Sequence, residues 1–226
     1  YHNSTITLYN EEGEKIKRIR GSSVNSGVSD GKQVVKRLRR VGAIDTTGKK
    51  VVDYKYFNLA PFEDGISINQ KRRTVYILHQ SGDTIAQTVG RAKGGFHSKY
   101  ALIRNGRNMF FINHSGKNAF NLIFEDAEPF ENGLARVKLN GKWGMIDAQG
   151  FYRIQPQYDF VRPPTRGVSI VGLNETAGIC DLNANYIVAP RCNAVTYLLN
   201  EGVYQYTLKN EFGYMDTSGQ LIWEVR

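Results

Sequence analysis

Between Gly133 and Gly150 the chain alternates and then stops alternating. In "GLARVKL" the apolar Ala135, Val137 and Leu139 fall on one side, with Arg136 and Lys138 on the other. That is the period of a half-buried strand. Asn140-Gly141 follows, a pair that tolerates positive φ at both positions and so marks a two-residue hairpin turn. "WGMID" then has apolar residues on both sides and reads as a more fully buried return strand. The chain turns again at "DAQG" and leaves on a third strand, "FYRIQ". The pattern predicts a three-stranded antiparallel unit.

The unit recurs. Aligned on the residue that closes the second turn, the chain gives Gly13, Gly48, Gly82, Gly116, Gly150, Ala184 and Gly219, at intervals of 34 or 35 residues. A second column, Gly31, Gly65, Lys99, Gly133, Gly167 and Gly202, keeps the same register. A period of this length is the signature of a repeat architecture. At the start of the second turn stand Asn10, Asp45, His79, Asn113, Asp147, Asp181 and Asp216. A short polar side chain there accepts hydrogen bonds from the backbone amides ahead of it. Asp45, Asp147, Asp181 and Asp216 are therefore expected to be a structural turn column. Trp143 and Phe212 are expected to be packing residues. The glycines that follow the aromatic column (Gly42, Gly144, Gly178 and Gly213) are expected to leave room for a large ring on the neighbouring strand.

The expected fold is a single all-β domain over residues 1–226, about seven tandem three-stranded units in an open twisted array. The alternative is a propeller-like ring. Against it, 34 residues is short for a four-stranded blade of about 40 or more. The first unit also lacks the "GLARVKL" strand, and the last has none to spare. Thirteen Tyr, eleven Phe and twenty-three Gly suit many strands joined by tight turns. No apolar run approaches the ~18 residues of a membrane-spanning helix. The chain opens on Tyr1 without a charged-then-apolar leader, which fits either a removed leader or a longer protein.

Residues 125–159, "EDAEPFENGLARVKLNGKWGMIDAQGFYRIQPQYD", resemble the WG-repeat family of bacterial proteins. Its units carry a Lys-Trp-Gly-x-Ile-Asp-x-x-Gly core and then Pro-x-Tyr-Asp. The other units keep the period but replace Trp143 by Val41, Val75, Met109, Ala177 or Phe212. The resemblance implies a β-repeat architecture and an interaction module, often of the bacterial envelope, with no established catalytic activity.

Catalytic and metal chemistry is sparse. His2, His79, His97 and His114 stand at no ligand-like spacing with Cys or carboxylates. "GRAKGG" lacks the Gly-Lys-Ser/Thr ending of a phosphate loop and reads as an irregular loop. One turn carboxylate per unit falls short of the oxygen cage that Ca²⁺ requires. No enzyme activity, metal or cofactor is expected. Cys180 and Cys192 flank a turn unevenly and are expected to be buried free thiols.

Charge changes the picture. The net +9 is concentrated in residues 1–113, with 20 Lys and Arg against 9 Asp and Glu; residues 114–226 hold 10 against 12. In register, much of the excess falls on the hairpin tips of the first half: Lys36, Arg37, Arg39, Arg40, Lys71, Arg72, Arg73, Arg104 and Arg107. Two readings stay open: solvated loop tips that also guard a sheet edge, or an electrostatic footprint for an acidic partner. The expected function is a non-enzymatic interaction or scaffold module, exported and accessory to a cell-envelope assembly. Its partner would be a protein with an acidic face or a membrane-associated complex, with anionic lipid or glycan as further classes. Nucleic acid is the weakest, since no basic–aromatic binding module is recognisable. The alternative is a cytoplasmic anion- or nucleic-acid-binding module of a larger regulatory or defence protein.

Overall fold

Each predicted second turn closes by one pattern of hydrogen bonds. Its first residue donates its amide to the carbonyl four residues on, and the fourth residue donates back to the first: Asp147 N to Phe151 O, and Gly150 N to Asp147 O, both at 2.9 Å. The same two bonds recur at Asn10, Asp45, His79, Asn113, Asp181 and Asp216. Ala184, which stands where the other turns have glycine, takes a φ of +63°. These turns and the hairpin tips ahead of them cut the chain into short strands.

The computed structural model describes residues 4–24, 27–198, 202–209 and 211–225. Tyr1, His2 and Asn210 lie outside the described residues. Among those described there is no helix. The described strands form seven antiparallel sheets, each built only from strands consecutive in sequence. The chain divides into two compact units, Tyr1–Ile123 and Phe124–Arg226. Among the described residues of each, no strand pairs outside its own sheet, so each unit is an open series of sheets and not a barrel.

One sheet of the second unit serves for all. Its strands are Asp126–Ala127, Leu134–Leu139, Lys142–Asp147 and Tyr152–Tyr158, in that order. The short first strand extends the three-stranded expectation. A fourth strand fits the period because here it is only two residues long. Three other sheets also have four strands.

The core lies between consecutive sheets. In the first unit Val34, Val41, Ala43 and Val52 of one sheet meet Leu59, Phe62 and Leu78 of the next. Ile68, Val75 and Ile77 then meet Phe96, Ile103 and Ile112. In the second unit Met145, Ile154 and Tyr158 meet Val161, Val171 and Cys180. Ile170, Ile179 and Val188 meet Val195, Tyr204 and Met215. Each repeat thus buries its apolar face against its neighbours, as repeat arrays do. Cys180 and Cys192 are free and buried.

The aromatic column packs at the margin of the core, and the expectation for the glycines beside it needs correction. Trp143 is only half-buried, set at the margin of its cluster with the Lys138 ammonium 5.8 Å from the ring centre. Phe212 is 38% exposed and meets the Trp223 ring edge-on at 5.7 Å. Both occupy the position beside the hairpin tip, where the sheet is only partly covered. The glycines beside them answer to something other than a ring. A Cβ on Gly144 would lie 2.5 Å from Ile154 O and 2.7 Å from Pro156 N; on Gly178 it would lie 2.5 Å from Val188 O. The third strand bulges here, with register shifts on both sides of Met145 and of Ile179. Its backbone crosses over the glycine. At Gly213 a ring, that of Tyr206, also comes within reach.

Candidate functional site

The turn column can be assigned from its bonds. Asp147 Oδ1 accepts from Gln149 N and Phe151 N at 3.0 Å. Asp45, Asn113, Asp181 and Asp216 accept the equivalent pairs. The Thr47 hydroxyl and backbone amides hold the Asp45 carboxyl below its usual range. Asp181 is lowered chiefly by the Asn185 side chain, and Asp216 chiefly by the Ser218 hydroxyl. With its acceptor oxygen engaged by the turn, each carboxylate is a cap. His79 fills the same role, its Nδ1 facing Ser81 Oγ at 2.9 Å. His114 meets Phe96 edge-on, and His97 is exposed. Among the described residues no three His, Cys, Asp or Glu side chains converge. "GRAKGG" contributes the two-residue strand Arg91–Ala92 and then bends, with Gly95 buried against Ala60.

The basic tips of the first unit lie on two-residue turns between paired strands. Arg37 pairs with Arg40, Lys71 with Thr74, and Asn105 with Asn108. Lys36, Arg37, Arg39, Arg40, Lys71, Arg72, Arg73 and Arg107 are all exposed. Arg104 is different. It is half-buried and donates to Met109 Sδ at 3.3 Å, which ties it into the sheet. It does not belong with the exposed tips.

The two units treat their tips differently, and one column explains how. Sixteen or so residues ahead of each tip, at the end of the preceding third strand, stand Ser23, Phe57, Arg91, Glu125, Asp159 and Asn193. In the second unit this residue caps the tip. Glu125 Oε2 accepts from Gly141 N at 2.9 Å, Asp159 Oδ2 from Asn174 N at 2.8 Å, and Asn193 Oδ1 from Lys209 N at 2.5 Å. Asp159 also pairs with Lys142, and that ammonium, then the Asn174 amide, holds its carboxyl below the ordinary range. In the first unit the same column offers Ser23, whose hydroxyl accepts from Gln33 Nε2 at 2.8 Å, and then Phe57 and Arg91, neither of which can accept a hydrogen bond through its side chain. Where Lys142 meets Asp159, Arg40 instead stacks over Phe57 at 4.1 Å, and Arg37 lies over Tyr54 at 5.8 Å. Among the described residues, no carboxylate pairs with Arg37, Arg39, Arg40, Arg72, Arg73 or Arg107.

The basic tips are legible in the sequence, but the parts that Leu38, Phe57 and Arg91 play in shaping them are not. Leu38 was hidden inside a charged run. Phe57 and Arg91 would have emerged from reading the capping column in register, as the tips were read. On the opposite edge of the second unit, a small cleft of about 110 Å³ is lined by Pro129, Pro163, Pro164, Leu134 and Met145 beside Glu128, Glu131 and Arg136.

Residues 42–72, 109–143 and 143–176 match the family described as WG containing repeat. These segments, 99 of the 226 residues, are WG-containing repeats. All three matches include the hairpin tip or the second turn described above; the bulge and the close-packed glycine occur at Gly42 and Gly144, whereas residues 109–143 have Phe110 in the glycine position. No curated protein matches the sequence. Among solved structures, Kluyvelomyces marxianus Hsv2 is 9% identical, with 82% of this chain and 69% of that chain covered, at a TM-score of 0.46. A Kluyveromyces lactis Hsv2 structure is 10% identical, covering 87% and 73%, at 0.44. The dihydro-heme d1 dehydrogenase NirN is 12% identical, covering 99% and 61%, also at 0.44. Likenesses this weak carry no argument about these WG repeats.

Proposed function

We propose that this WG-repeat chain is a non-enzymatic interaction module whose contact surface is the row of basic tips in the first unit. The observation that carries the reading is the capping column. The second unit closes its tips with Glu125, Asp159 and Asn193, whereas the first leaves arginines without carboxylates and backs one of them with Phe57. Cations held on aromatic faces and left unpaired suit an anionic partner. Accessory attachment to a cell-envelope assembly is the setting we favour, and a soluble regulatory complex is the other.

Capture from separated membrane and soluble fractions of the native cell tests this. Wild type should recover a partner that the Arg39→Glu, Arg40→Glu, Arg72→Glu, Arg73→Glu variant loses, with Lys209→Glu behaving as wild type. Equal recovery by all three would overturn the reading. The fraction that yields the partner decides between the two settings.

A further inference from the structure

The first tip carries a residue that folding does not explain. Leu38 is the first residue of the turn between Lys32–Arg37 and Arg40–Asp45, where it is 84% exposed at a φ of +58°. A leucine in the left-handed region is strained, and there it gains nothing from burial. The same turn position holds Asn140 and Asn174, at φ of 51° and 50°, and the charged Arg72 and Lys209, both at 56°; no other described non-glycine residue there is apolar. Asparagine is the residue the turn itself favours. Around Leu38 stand Lys36, Arg37, Arg39 and Arg40, all exposed, with Phe57, 65% exposed, under the Arg40 guanidinium.

We infer that this tip is a peripheral membrane contact, with Leu38 entering the head-group and acyl boundary of an anionic bilayer while the surrounding cations engage lipid phosphates. The inference rests on the tip row's being a contact surface and names its partner at the first tip. Three features favour a bilayer over an acidic protein. The apolar side chain stands at the apex of a protruding turn, which suits a deformable plane. The cations ring it on long stems, so their heads reach phosphate level while the apex goes deeper. The charge is of one sign, complementary to an anionic leaflet, whose attraction amounts to about a fivefold gain in binding per basic residue near the surface. The ring of Phe57, beside the apex, belongs at the same boundary.

Vesicle co-sedimentation with the whole chain tests it, using phosphatidylcholine vesicles with and without phosphatidylglycerol. Wild type should bind only the anionic vesicles, and more weakly as salt rises. Arg37→Glu with Arg39→Glu should reduce binding more than tenfold. Leu38→Asn keeps the turn and removes the apex; it should melt no lower than wild type yet bind several-fold more weakly. Leu38→Trp should add fluorescence that shifts to the blue on anionic vesicles and not on neutral ones. If wild type ignores the vesicles, or if Leu38→Asn binds as well and Leu38→Trp shows no shift, bilayer insertion is wrong. The capture experiment, which does not use vesicles, can still succeed in that case. Tight binding to soluble polyglutamate with none to vesicles would reassign the tip to an acidic protein.

Discussion

Alanine at position 144 would place a methyl group against three backbone atoms of the third strand: Ile154 O at 2.5 Å, Pro156 N at 2.7 Å and Gln155 C at 2.8 Å. Ordinary contact begins about an ångström farther out. None of the three can rotate away, because they belong to the bulge that sets the register of Tyr152–Tyr158. The strand must shift as a whole, and with it Ile154 and Tyr158, both fully buried in the core between sheets. Overpacking of this kind costs about 2–3 kcal/mol. For a chain of this length that lowers the melting temperature by roughly 5–10 °C. Circular dichroism during heating measures it, with two controls. Gly141→Ala meets nothing within 4 Å but has a φ of +75°, so it should cost about 1 kcal/mol from backbone strain alone. Gly27→Ala meets nothing and requires no positive φ, so it should be near neutral. If Gly144→Ala melts with Gly27→Ala, the glycine of the Trp-Gly pair is not held by the bulge and the packing argument fails.

Other consequences can be checked on the same material. Asp147→Ala should lower stability by about 1 kcal/mol through loss of two capped amides, leaving partner capture intact at a matched distance from the melting point. Asp45, Asp181 and Asp216 are more acidic in the folded chain than unfolded, so their stabilisation is complete above the ordinary carboxylate pKa of about 4 and is lost as pH falls through their lowered values. Melting temperature against pH should fall on that acid limb, less steeply when all three are Asn; identical limbs would remove the caps from the account. Trp143→Ala should cost about 2–4 kcal/mol, less than the roughly 3–5 kcal/mol of a fully buried large aromatic, because the ring is half-buried. Burial raises the Cys180 thiol to about 11 and the Cys192 thiol in the same direction. Labelling by a thiol reagent at neutral pH should therefore track unfolding, and fast labelling of the native chain would contradict their burial.

The repeat was legible because its signals are local. Positive φ at Asn140-Gly141, the acceptor at Asp147 and the period of the second turns each need only a few neighbouring residues. The strand count was harder to read, since Asp126–Ala127 is two residues long and leaves no hydrophobic period. Gly144 was recognised as a close approach but assigned to a ring. The approach comes from a bulge ten residues on, whose register depends on how two strands pair and not on the composition of either. Trp143 packs against its cluster yet stays half-buried, because the Trp-Gly pair lies near the hairpin tip, where a neighbouring sheet covers it only in part. For the candidate surface, charge was visible residue by residue, whereas the absence of counter-charge emerged only when Phe57 and Arg91 were set against Asp159 and Glu125.

The ionic-strength dependence of the association rate with the captured partner bears most directly on the tip row. Exposed charges attract over about 8–10 Å at physiological salt, so steering by unpaired tip arginines should slow as salt rises. The account predicts a steep fall for wild type, a much shallower one for the fourfold Arg39, Arg40, Arg72 and Arg73 reversal, and a wild-type slope for Lys209→Glu. A rate indifferent to salt, or an equal loss of slope from Lys209→Glu, would contradict it and return the basic tips to solvated loop ends.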